Sequence, residues 1–403
     1  MVKIGINGYY LSFITSGIGQ YTFQLLSGLS SIDKINEYYI FSPRYSVKPS
    51  LGKNFYLIEI PPFPMLRNSF INRFIWEEFQ LESAIAKYSI QLFHSPYPSL
   101  PRGSAKIPSV VTIHDAIPWL FGYYKNDFLY WFYLNLQKNN IIKRSNKIIT
   151  DSNSSRSDIA SVYGYEQQDI KIIYPGIDPI FKRQVYTSER SVFIKKYHIS
   201  SPFIVYSGGF QKHKNLKTLF MSFKILLNSY GYRGKLFILG EIRSDTAVSA
   251  LIYEKLSDLK SMVHALGIEK NVVFTGFVPK EDYFLFIKSA QIFVSLSLCE
   301  GFGMPAVEAL SSGTPVVLSK INTYREIESN TAVLVHPLSP PEIAENIHSV
   351  LTTESLRQRL RKNGLLRTRY FNNLRMALEM QALYTKILTA SSDLTSPKNS
   401  LKI

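Results

Sequence analysis

The residues best suited to chemistry lie in the segment Cys299–Leu310, which reads CEGFGMPAVEAL. Its proline suits the first turn of a helix, so we expect that helix to begin directly after the glycines. Gly301 and Gly303 would leave backbone N–H groups open at the helix N-terminus, whose partial positive charge favours phosphate or hydroxyl oxygens. Glu300 precedes this helix and Glu308 lies about one turn inside it. Both carboxylates can therefore accept hydrogen bonds from one hydroxyl-rich ligand, although an ordinary glycine-rich turn would show the same pattern.

A second candidate segment, residues 207–215, reads SGGFQKHKN and joins a predicted strand to a predicted helix. Gly208 and Gly209 would let a diphosphate approach the backbone closely, and Lys214 would add a compact positive charge. Asn215 is a candidate N-cap of the helix that follows. Paired glycines and single lysines more often form turns and solvated surface, so this segment alone leaves both interpretations open.

The first part of the chain offers two further candidates. Gly17 and Gly19 lie between the first strand and the first helix, and His114 follows the strand Val110–Ile113. Open α/β sheets bind ligands at the carboxyl ends of their strands, where both positions fall. A dinucleotide site is poorly supported, because the glycine turn lacks the full G-x-G-x-x-G pattern. A histidine at a strand end is more often a loop hydrogen-bonder than a catalytic residue.

Metal and serine-hydrolase chemistry have little support. The seven histidines are scattered, and no His, Cys or Asp spacing matches a zinc or two-metal site. The G-x-S-x-G turn of serine hydrolases is missing. The sequence therefore predicts no metal site.

Alternating strands and helices must position these residues. Short apolar runs alternate with segments of helical period through most of the chain, which predicts parallel α/β sheets. The predicted strands are Val2–Asn7, Tyr38–Phe41, Leu92–His94, Ser109–Ile113, Lys147–Thr150, Ile170–Ile173, Phe203–Gly208, Leu236–Leu239, Val272–Thr275, Ile292–Ser295, Pro315–Leu318 and Ala332–Val335.

The length of 403 residues exceeds what one hydrophobic core usually serves. Turn-forming residues cluster at Tyr174–Pro179, which predicts a first domain over residues 1–180 and a second that begins at residue 181. Residues 391–403 are predicted to form a disordered tail.

The charge is basic and uneven. Residues 1–180 carry 17 basic and 13 acidic side chains, whereas residues 181–403 carry 29 and 17, for net charges of +4 and +12. Such a balance suits an anionic partner: a nucleotide diphosphate, an anionic lipid surface or a nucleic acid. No basic-aromatic recognition motif supports nucleic acid, so we expect no nucleic-acid partner.

A cytoplasmic location is expected from two features. Cys299 is the single cysteine, which excludes an internal disulfide framework and fits a reducing compartment. The N-terminus lacks the pattern of a signal peptide, and no apolar stretch reaches the roughly 20 residues of a membrane span. Any membrane contact would then be peripheral, on the inner face of the membrane.

Taken together and in this order, the segments resemble family 4 of the retaining glycosyltransferases, group 1 type, in its mannosyltransferase-like subset. The resemblance runs from Lys3 to about Leu388, and its most specific part is the Glu300–Glu308 spacing with Gly-Phe-Gly between and Thr314–Val317 after it. The supporting matches are Gly17–Thr22, Val111–Pro118, Ile149–Ser152, Tyr174–Asp178 and Phe274–Val278.

The resemblance implies a GT-B fold, in which two Rossmann-like domains with parallel sheets face each other across a cleft. The N-terminal domain (1–180) would bind the acceptor, and the C-terminal domain (181–371) would bind the nucleotide-sugar donor. A helix at 372–390 would cross back to the N-terminal domain.

The same resemblance implies the roles of individual residues. Lys214 would hold the donor diphosphate, Glu308 the ribose, and Glu300 the transferred sugar, which His114 would contact from the opposite domain. Phe277 and Val278 would meet the base, and the Gly17–Gly19 turn would border the diphosphate and the acceptor. The implied catalytic residues are Glu300, His114 and Lys214, and the implied donor-binding residues are Gly17, Gly19, Gly208, Gly209, Lys214, Phe277, Val278, Glu300, Gly301, Phe302, Gly303 and Glu308.

Three positions depart from the family pattern. Gly209 and Gln20 stand where the family often has arginine, and His213 stands where the mannosyltransferase-like members commonly place arginine beside the lysine. Neutralisation of the diphosphate would therefore depend more heavily on Lys214.

The implied activity is the retaining, metal-independent transfer of a hexose from a nucleotide diphosphate sugar, GDP-mannose or a UDP-hexose, without a cofactor. The acceptor would be a glycan or lipid-linked saccharide in polysaccharide, lipopolysaccharide or exopolysaccharide synthesis. The missing arginines leave a second interpretation open, a nucleotide-sugar-binding protein without turnover.

Two kinds of segment bear on membrane contact. The aromatic-rich stretches Phe63–Phe79 and Trp119–Tyr133 are explained mainly by core packing, but some of their side chains could dock a lipid-linked acceptor or a bilayer. The run Ser355–Arg375 holds seven basic and no acidic residues, a pattern that a solvated helix face explains better than a membrane contact.

Overall fold

The computed structural model describes residues 1–62, 69–101, 107–123, 125, 127–240 and 252–395, without the side chains of 69–70 and 391–395. Contacts divide this part of the chain into two compact units, each described by itself. The first falls within Met1–Ala116, Asp127–Gly176 and Asn372–Ile403, and the second within Ile117–Asn126 and Ile177–Phe371. The change of unit after Gly176 lies close to the predicted boundary after residue 180. The passage of residues 117–126 into the second unit was not predicted.

A parallel sheet forms the centre of the first unit. Its strands are β1 Lys3–Asn7, β2 Glu37–Ser42, β3 Phe55–Glu59, β4 Leu92–Ser95, β5 Ser109–Thr112, β6 Lys147–Thr150 and β7 Ile170–Ile172. Among the described residues the order is β3-β2-β1-β4-β5-β6-β7, and every pairing is parallel. The direction of winding reverses between β1 and β4. Sheets of this kind bind ligands at such a switch point, beyond the carboxyl ends of the strands.

A second parallel sheet forms the centre of the second unit. Its strands are β8 Phe203–Ser207, β9 Lys235–Leu239, β10 Val272–Gly276, β11 Ile292–Ser295, β12 Val316–Ser319 and β13 Ala332–Val335. Within the described ranges their order is β10-β9-β8-β11-β12-β13, again with parallel pairing throughout. The winding reverses between β8 and β11, so the loops that follow these two strands meet at one edge of the sheet.

Helices surround both sheets. Their bounds are α1 Gly17–Ile32, α2 Ser69–Ile75, α3 Glu82–Lys87, α4 Ile117–Leu120, α5 Phe128–Arg144, α6 Asn153–Tyr163, α7 Thr187–Lys196, α8 Leu216–Tyr230, α9 Leu256–Ala265, α10 Lys280–Ser289, α11 Met304–Ser311, α12 Asn322–Glu328, α13 Pro340–Thr352, α14 Glu354–Arg367 and α15 Asn373–Thr395. Short 3₁₀ helices cover Tyr9–Phe13, Gln167–Asp169, Pro179–Lys182 and Lys212–Lys214, and a π-helix covers Trp76–Leu81. In this described part of the chain, no helix combines the length and apolar character needed to cross a bilayer.

The core of each unit lies between its sheet and its helices. Ile6 of β1 and Leu25 of α1 are fully buried in the first unit. Ile204 of β8 packs with Leu219 and Phe220 of α8 in the second. Strands such as β4, β8 and β11 are buried along almost their whole length, whereas the buried positions of the helices recur every third or fourth residue, so short apolar runs and helical periods predict the elements.

The last helix belongs to the first unit and packs along α1. The approach is close, because a Cβ atom on Gly28 would lie 2.4 Å from the backbone oxygen of Asn373. The Asn373 amide donates to the Gln24 side-chain oxygen at 2.6 Å. Helix α15 reaches Thr395 and so includes the first residues of the predicted tail, while residues 396–403 lie outside the described residues.

The predicted strands agree with the structure to within one residue at each end. The edge strand Phe55–Glu59 was not predicted. Three of its five side chains are half-buried or buried, and buried and exposed positions do not alternate regularly. Its sequence therefore gives only a weak strand signal. It is held by pairing with β2 and by the Phe55 ring, which stacks on Tyr38 with centroids 4.4 Å apart.

Candidate functional site

The loops at the switch point of the second unit bring together two residues that are 86 positions apart. Lys214 ends the short 3₁₀ helix after β8, and Glu300 lies in the loop after β11. The Lys214 ammonium donates to the Glu300 carboxylate, with 2.7 Å between Nζ and Oε1. Their side chains are 17% and 10% exposed, so this ion pair is largely shielded but open at one side.

Glu300 is held by more than the lysine. Ser297 donates to the same carboxylate oxygen at 2.7 Å, and the Tyr324 hydroxyl lies 3.5 Å from it. Burial by itself would raise the pKa of Glu300, but the charge of Lys214 and the hydrogen bonds from Lys214 and Ser297 outweigh burial and lower it. Glu300 is therefore an ionised carboxylate at neutral pH, fixed in one orientation.

The glycines after Glu300 open the N-terminus of α11. Gly303 has a φ of +80°, and a Cβ atom there would lie 2.5 Å from the Tyr324 ring, so the turn requires glycine for both reasons. The Thr323 hydroxyl donates to the Glu300 backbone oxygen at 2.7 Å and so stabilises the loop that carries Glu300. Phe302 is buried against Phe371, with ring centroids 5.3 Å apart. This loop can present backbone donors and the positive end of a helix to a ligand.

Glu308, inside α11, has different surroundings from Glu300. The Tyr283 hydroxyl of α10 donates to its carboxylate at 2.7 Å, and the ion pair between Lys280 and Asp178 lies near. Burial raises the pKa of Glu308 to about 7, with a further increase from Asp178, against the opposing effects of the Tyr283 hydrogen bond and Lys280. The two carboxylates that the sequence paired thus differ in charge state near neutrality.

The predicted glycines of the β8 loop lie beside Lys214. Gly208 has a φ of +153°, which a side chain rarely adopts, and the Gly209 carbonyl accepts a hydrogen bond from Tyr206 at 2.8 Å. Asn215 stands at the N-cap position of α8, as predicted, but its side chain makes no capping hydrogen bond. Its amide donates to the backbone oxygens of Leu296 and Pro337, and its side-chain oxygen accepts the Thr218 hydroxyl at 2.7 Å, so no backbone N–H of the helix bonds this side chain.

The remaining predicted residues of the second unit follow β10. Phe277 is 56% exposed and Val278 is half-buried. They lie at the same carboxyl edge as the loops after β8 and β11, since β10 and β9 continue the sheet on that side.

In the first unit, His114 follows β5 and pairs with Asp151, which follows β6. The distance from His114 Nδ1 to Asp151 Oδ2 is 2.6 Å, and His114 Nε2 lies 3.0 Å from the Pro96 backbone oxygen. Burial would lower the pKa of the imidazole, but Asp151 and the Pro96 carbonyl outweigh burial and raise it. Both partners are acceptors, so these contacts and the raised pKa both favour the protonated imidazole, which donates from both nitrogens.

Gly17 and Gly19 lie within the first turn of α1, which corrects the prediction that they precede the first helix. The helix begins earlier because Ser16 caps it, with its hydroxyl accepting the Gly19 N–H at 3.1 Å. Gly19 also allows close packing, since a Cβ atom there would lie 2.6 Å from the Phe13 backbone oxygen.

Sequence reasoning missed several residues that support the site. Ser297, Tyr324 and Tyr283 each bond a predicted site residue without a local pattern that singles them out, and Asp151, which bonds His114, lies in the matched segment Ile149–Ser152 but was assigned no role. Only Ser297, three positions before Glu300, was close enough in sequence to be found. In the described ranges, no group of three or more His, Cys, Asp or Glu side chains is arranged to hold a metal ion.

Comparison with protein families divides the chain in the same way as its two sheets. Residues 15–181 match the model "Glycosyltransferase Family 4", and residues 190–367 match "Glycosyl transferases group 1". Together these two models account for most of both units.

Two curated relatives carry mannosyltransferase names. The O-antigen chain mannosyltransferase RfbU of Salmonella typhimurium is 28% identical over 227 residues, which is 56% of each chain, so the match spans about half of that relative. The O-antigen chain mannosyltransferase B of Escherichia coli is 25% identical over 293 residues, 72% of each chain.

Solved structures match over nearly the whole chain at low identity. A sucrose-phosphate synthase from Thermosynechococcus elongatus gives a TM-score of 0.75 at 18% identity, covering 97% of this chain and 100% of that one. HepE of Anabaena, solved with UDP and glucose, gives 0.72 at 15% identity, covering 96% and 100%. These matches confirm the predicted fold of two Rossmann-like domains. With both family models and the fold in agreement, the chain belongs to the group 1 glycosyltransferases of the GT-B fold.

Proposed function

We propose that this glycosyltransferase moves a hexose, with mannose as the first candidate, from a nucleotide diphosphate sugar to a glycan or lipid-linked saccharide in the synthesis of a polysaccharide, lipopolysaccharide or exopolysaccharide. The observation that carries the proposal is the Lys214–Glu300 ion pair, which lies beside the glycine-opened N-terminus of α11 at the switch point of the sheet.

The chemistry fits these groups. As the bond between the anomeric carbon and the diphosphate breaks, negative charge grows on the diphosphate and positive charge on the sugar ring. Lys214 and the α11 N-terminus would stabilise the first, and the Glu300 carboxylate would orient the sugar hydroxyls. Glu308 would bind the ribose, Phe277 and Val278 the base, and His114 the sugar, while Gly208, Gly209, Gly17 and Gly19 would line the diphosphate.

We propose retention of the anomeric configuration and no protein-bound metal. The acceptor oxygen would attack from the face that the diphosphate leaves, and its proton would pass to the departing diphosphate oxygen, so no protein nucleophile is needed. The Lys214 ammonium would supply positive charge at the place where some transferases use a metal. The anomeric configuration of the product, assigned by NMR with and without EDTA, tests both points: an inverted product or loss of turnover in EDTA would contradict them.

The donor is GDP-mannose or a UDP-hexose. The mannosyltransferase names of the relatives favour GDP-mannose. The structural neighbour solved with UDP and glucose supports a UDP-hexose as the alternative. A thermal-shift panel of nucleotide sugars, followed by transfer assays, tests the choice, since a ligand at 100 times its Kd stabilises a protein by roughly 2.7 kcal/mol. Binding of a donor without transfer or hydrolysis would favour the second candidate function, a nucleotide-sugar-binding protein, which Gly209 and His213 suggest by replacing arginines.

An acceptor site in the first unit is supported by a cluster beside its switch point. The Arg73 guanidinium donates to Glu77 at 2.8 Å and lies over the rings of Tyr9, Tyr10 and Tyr97 at 5.0–5.4 Å. Tyr9 and Tyr10 are half-buried, so their rings can contact a sugar face.

Donor affinity is expected to rise by about tenfold between pH 6 and pH 8. The reason is that Glu308, with a pKa of about 7, is mostly protonated at the lower pH and mostly ionised at the higher, and the carboxylate is the stronger acceptor for ribose hydroxyls. Isothermal titration with an intact nucleotide sugar measures this, because its diphosphate has no group that titrates near neutrality. The Glu308→Gln variant should bind more weakly at pH 8 and show a flat profile; a variant that keeps the wild-type slope would contradict the assignment.

Peripheral membrane contact is proposed through the first two turns of α5. Phe128, Leu129 and Phe132 are 78%, 55% and 59% exposed. Large apolar side chains that are exposed on one helix are typical of contact with a membrane interface. The basic run 355–375 is a poorer candidate, because Arg361 and Arg367 donate to backbone oxygens within the second unit. Residues 63–68 of the first aromatic stretch lie outside the described residues.

The double variant Phe128→Ser/Phe132→Ser is expected to reduce binding to vesicles with anionic lipid by about tenfold or more, since it exposes far less apolar area to the bilayer. Cosedimentation measures this, and Val192→Ser/Leu338→Ser, at side chains exposed by 68% and 61%, is the matched control. Absence of binding by the wild type, or equal loss in the control, would contradict the proposal.

A further inference from the structure

The chain passes into the second unit shortly after His114. Residues 117–123, here called the strap, begin three positions after His114 and belong to the second unit. Ile117 and Tyr123 of the strap are buried in a small apolar cluster with Ile252, against which Cys299 packs. The strap therefore touches the residue that directly precedes Glu300.

The strap also bonds the residue that directly precedes Lys214. The Tyr123 hydroxyl lies 3.0 Å from Nδ1 of His213, and the Phe121 and Tyr123 rings lie 5.7 and 6.0 Å from the imidazole. His213 is 5% exposed. Burial and the charge of Lys214 lower its pKa to about 4, so the ring is neutral at pH 7 and Nδ1 can accept the Tyr123 proton.

His213 joins the two site loops through its backbone as well. Its carbonyl oxygen accepts the Leu298 N–H at 2.7 Å, which ties the loop that carries Lys214 to the loop that carries Glu300. The side chain of His213 faces the strap, while its carbonyl faces the Glu300 loop. One residue thus connects three segments that are distant in sequence.

We propose that Tyr123 and His213 are positioning residues that set the placement of Lys214 against Glu300. The inference rests on the proposed function, in which that ion pair serves the donor. It also gives His213 a role different from that of the arginine it replaces: a neutral, buried acceptor that anchors the strap, rather than a second cation for the diphosphate.

The test compares variants that remove or keep the hydrogen bond. Tyr123→Phe and His213→Leu should each lower kcat by about tenfold, because a small misplacement of catalytic groups is costly, while the donor KM changes less than about threefold. His213→Asn keeps an acceptor near the Nδ1 position and should retain activity within about threefold of the wild type. The double variant Tyr123→Phe/His213→Leu should be no worse than either single variant, as expected for two partners in one interaction.

A matched control separates positioning from loss of stability. Tyr232→Phe removes a hydrogen bond of 3.1 Å to Gln291 in the same unit, at the opposite edge of the sheet, and should leave kcat unchanged. Thermal melting gives the folded fraction for each variant. Wild-type kcat in Tyr123→Phe, or losses that multiply in the double variant, would overturn the inference. Absence of transfer by the wild type with every donor would instead overturn the proposed function.

Discussion

Replacement of Lys214 by alanine is expected to lower the rate of sugar transfer by about 10²–10³-fold. Loss of one preorganised donor aimed at developing negative charge typically has this effect, and neither Gly209 nor the neutral His213, at positions where the resembled family often has arginine, adds positive charge beside Lys214. Both kcat and kcat/KM should fall, because the charge on the diphosphate is greatest in the transition state. Initial rates with the donor identified by the panel measure the change.

The same variant leaves Glu300 without its partner, which complicates the measurement. Removing one member of a buried ion pair typically destabilises a protein by about 3–5 kcal/mol. The double variant Lys214→Met/Glu300→Gln removes both charges and should recover much of that stability while remaining inactive. Near-wild-type transfer by folded Lys214→Ala, or recovery of activity in the double variant, would contradict the role of Lys214.

Replacement of Glu300 by glutamine is expected to lower transfer by about 10²-fold or more. Glutamine preserves shape and can still accept from Ser297, so the loss would report the negative charge that holds Lys214 and that we propose orients the sugar. Stability should change less than in Lys214→Ala, because the freed ammonium is 17% exposed and can be hydrated. Transfer rates normalised to the folded fraction measure the effect.

The control for Glu300 is a carboxylate of similar kind outside the site. Glu189 pairs with Arg183 in the second unit, and Glu189→Gln should leave transfer unchanged. Equal losses in Glu189→Gln and Glu300→Gln would show that the effect is general to ion pairs of this unit, and would remove Glu300 from the proposed site.

How far the site could be predicted depends on how local each signal is. Glu300, Gly303 and Glu308 lie in one turn and helix, so their spacing made this turn a candidate ligand-binding N-terminus, although an ordinary glycine-rich turn would show the same pattern. The partner of His114 could not be found in this way. Asp151 is 37 positions away, and only the adjacency of β5 and β6 brings its carboxylate within 2.6 Å of the imidazole. The edge strand Phe55–Glu59 was not predicted for a related reason. Its half-exposed residues give a weak local signal, and they form a strand because they pair with β2.

The sequence by itself determined the succession of strands and helices, the division into two α/β units and the motif of a glycosyltransferase, because periodicity, capping and turn chemistry act over a few residues. The tertiary structure decided which loops share a sheet edge and what charge each carboxylate carries. The strand order places the loop of Lys214 next to that of Glu300, whose pKa falls, while burial beside Tyr283 raises the pKa of Glu308. Desolvation and the identity of a charged neighbour depend on contacts between segments far apart in the chain, so no local pattern encodes them.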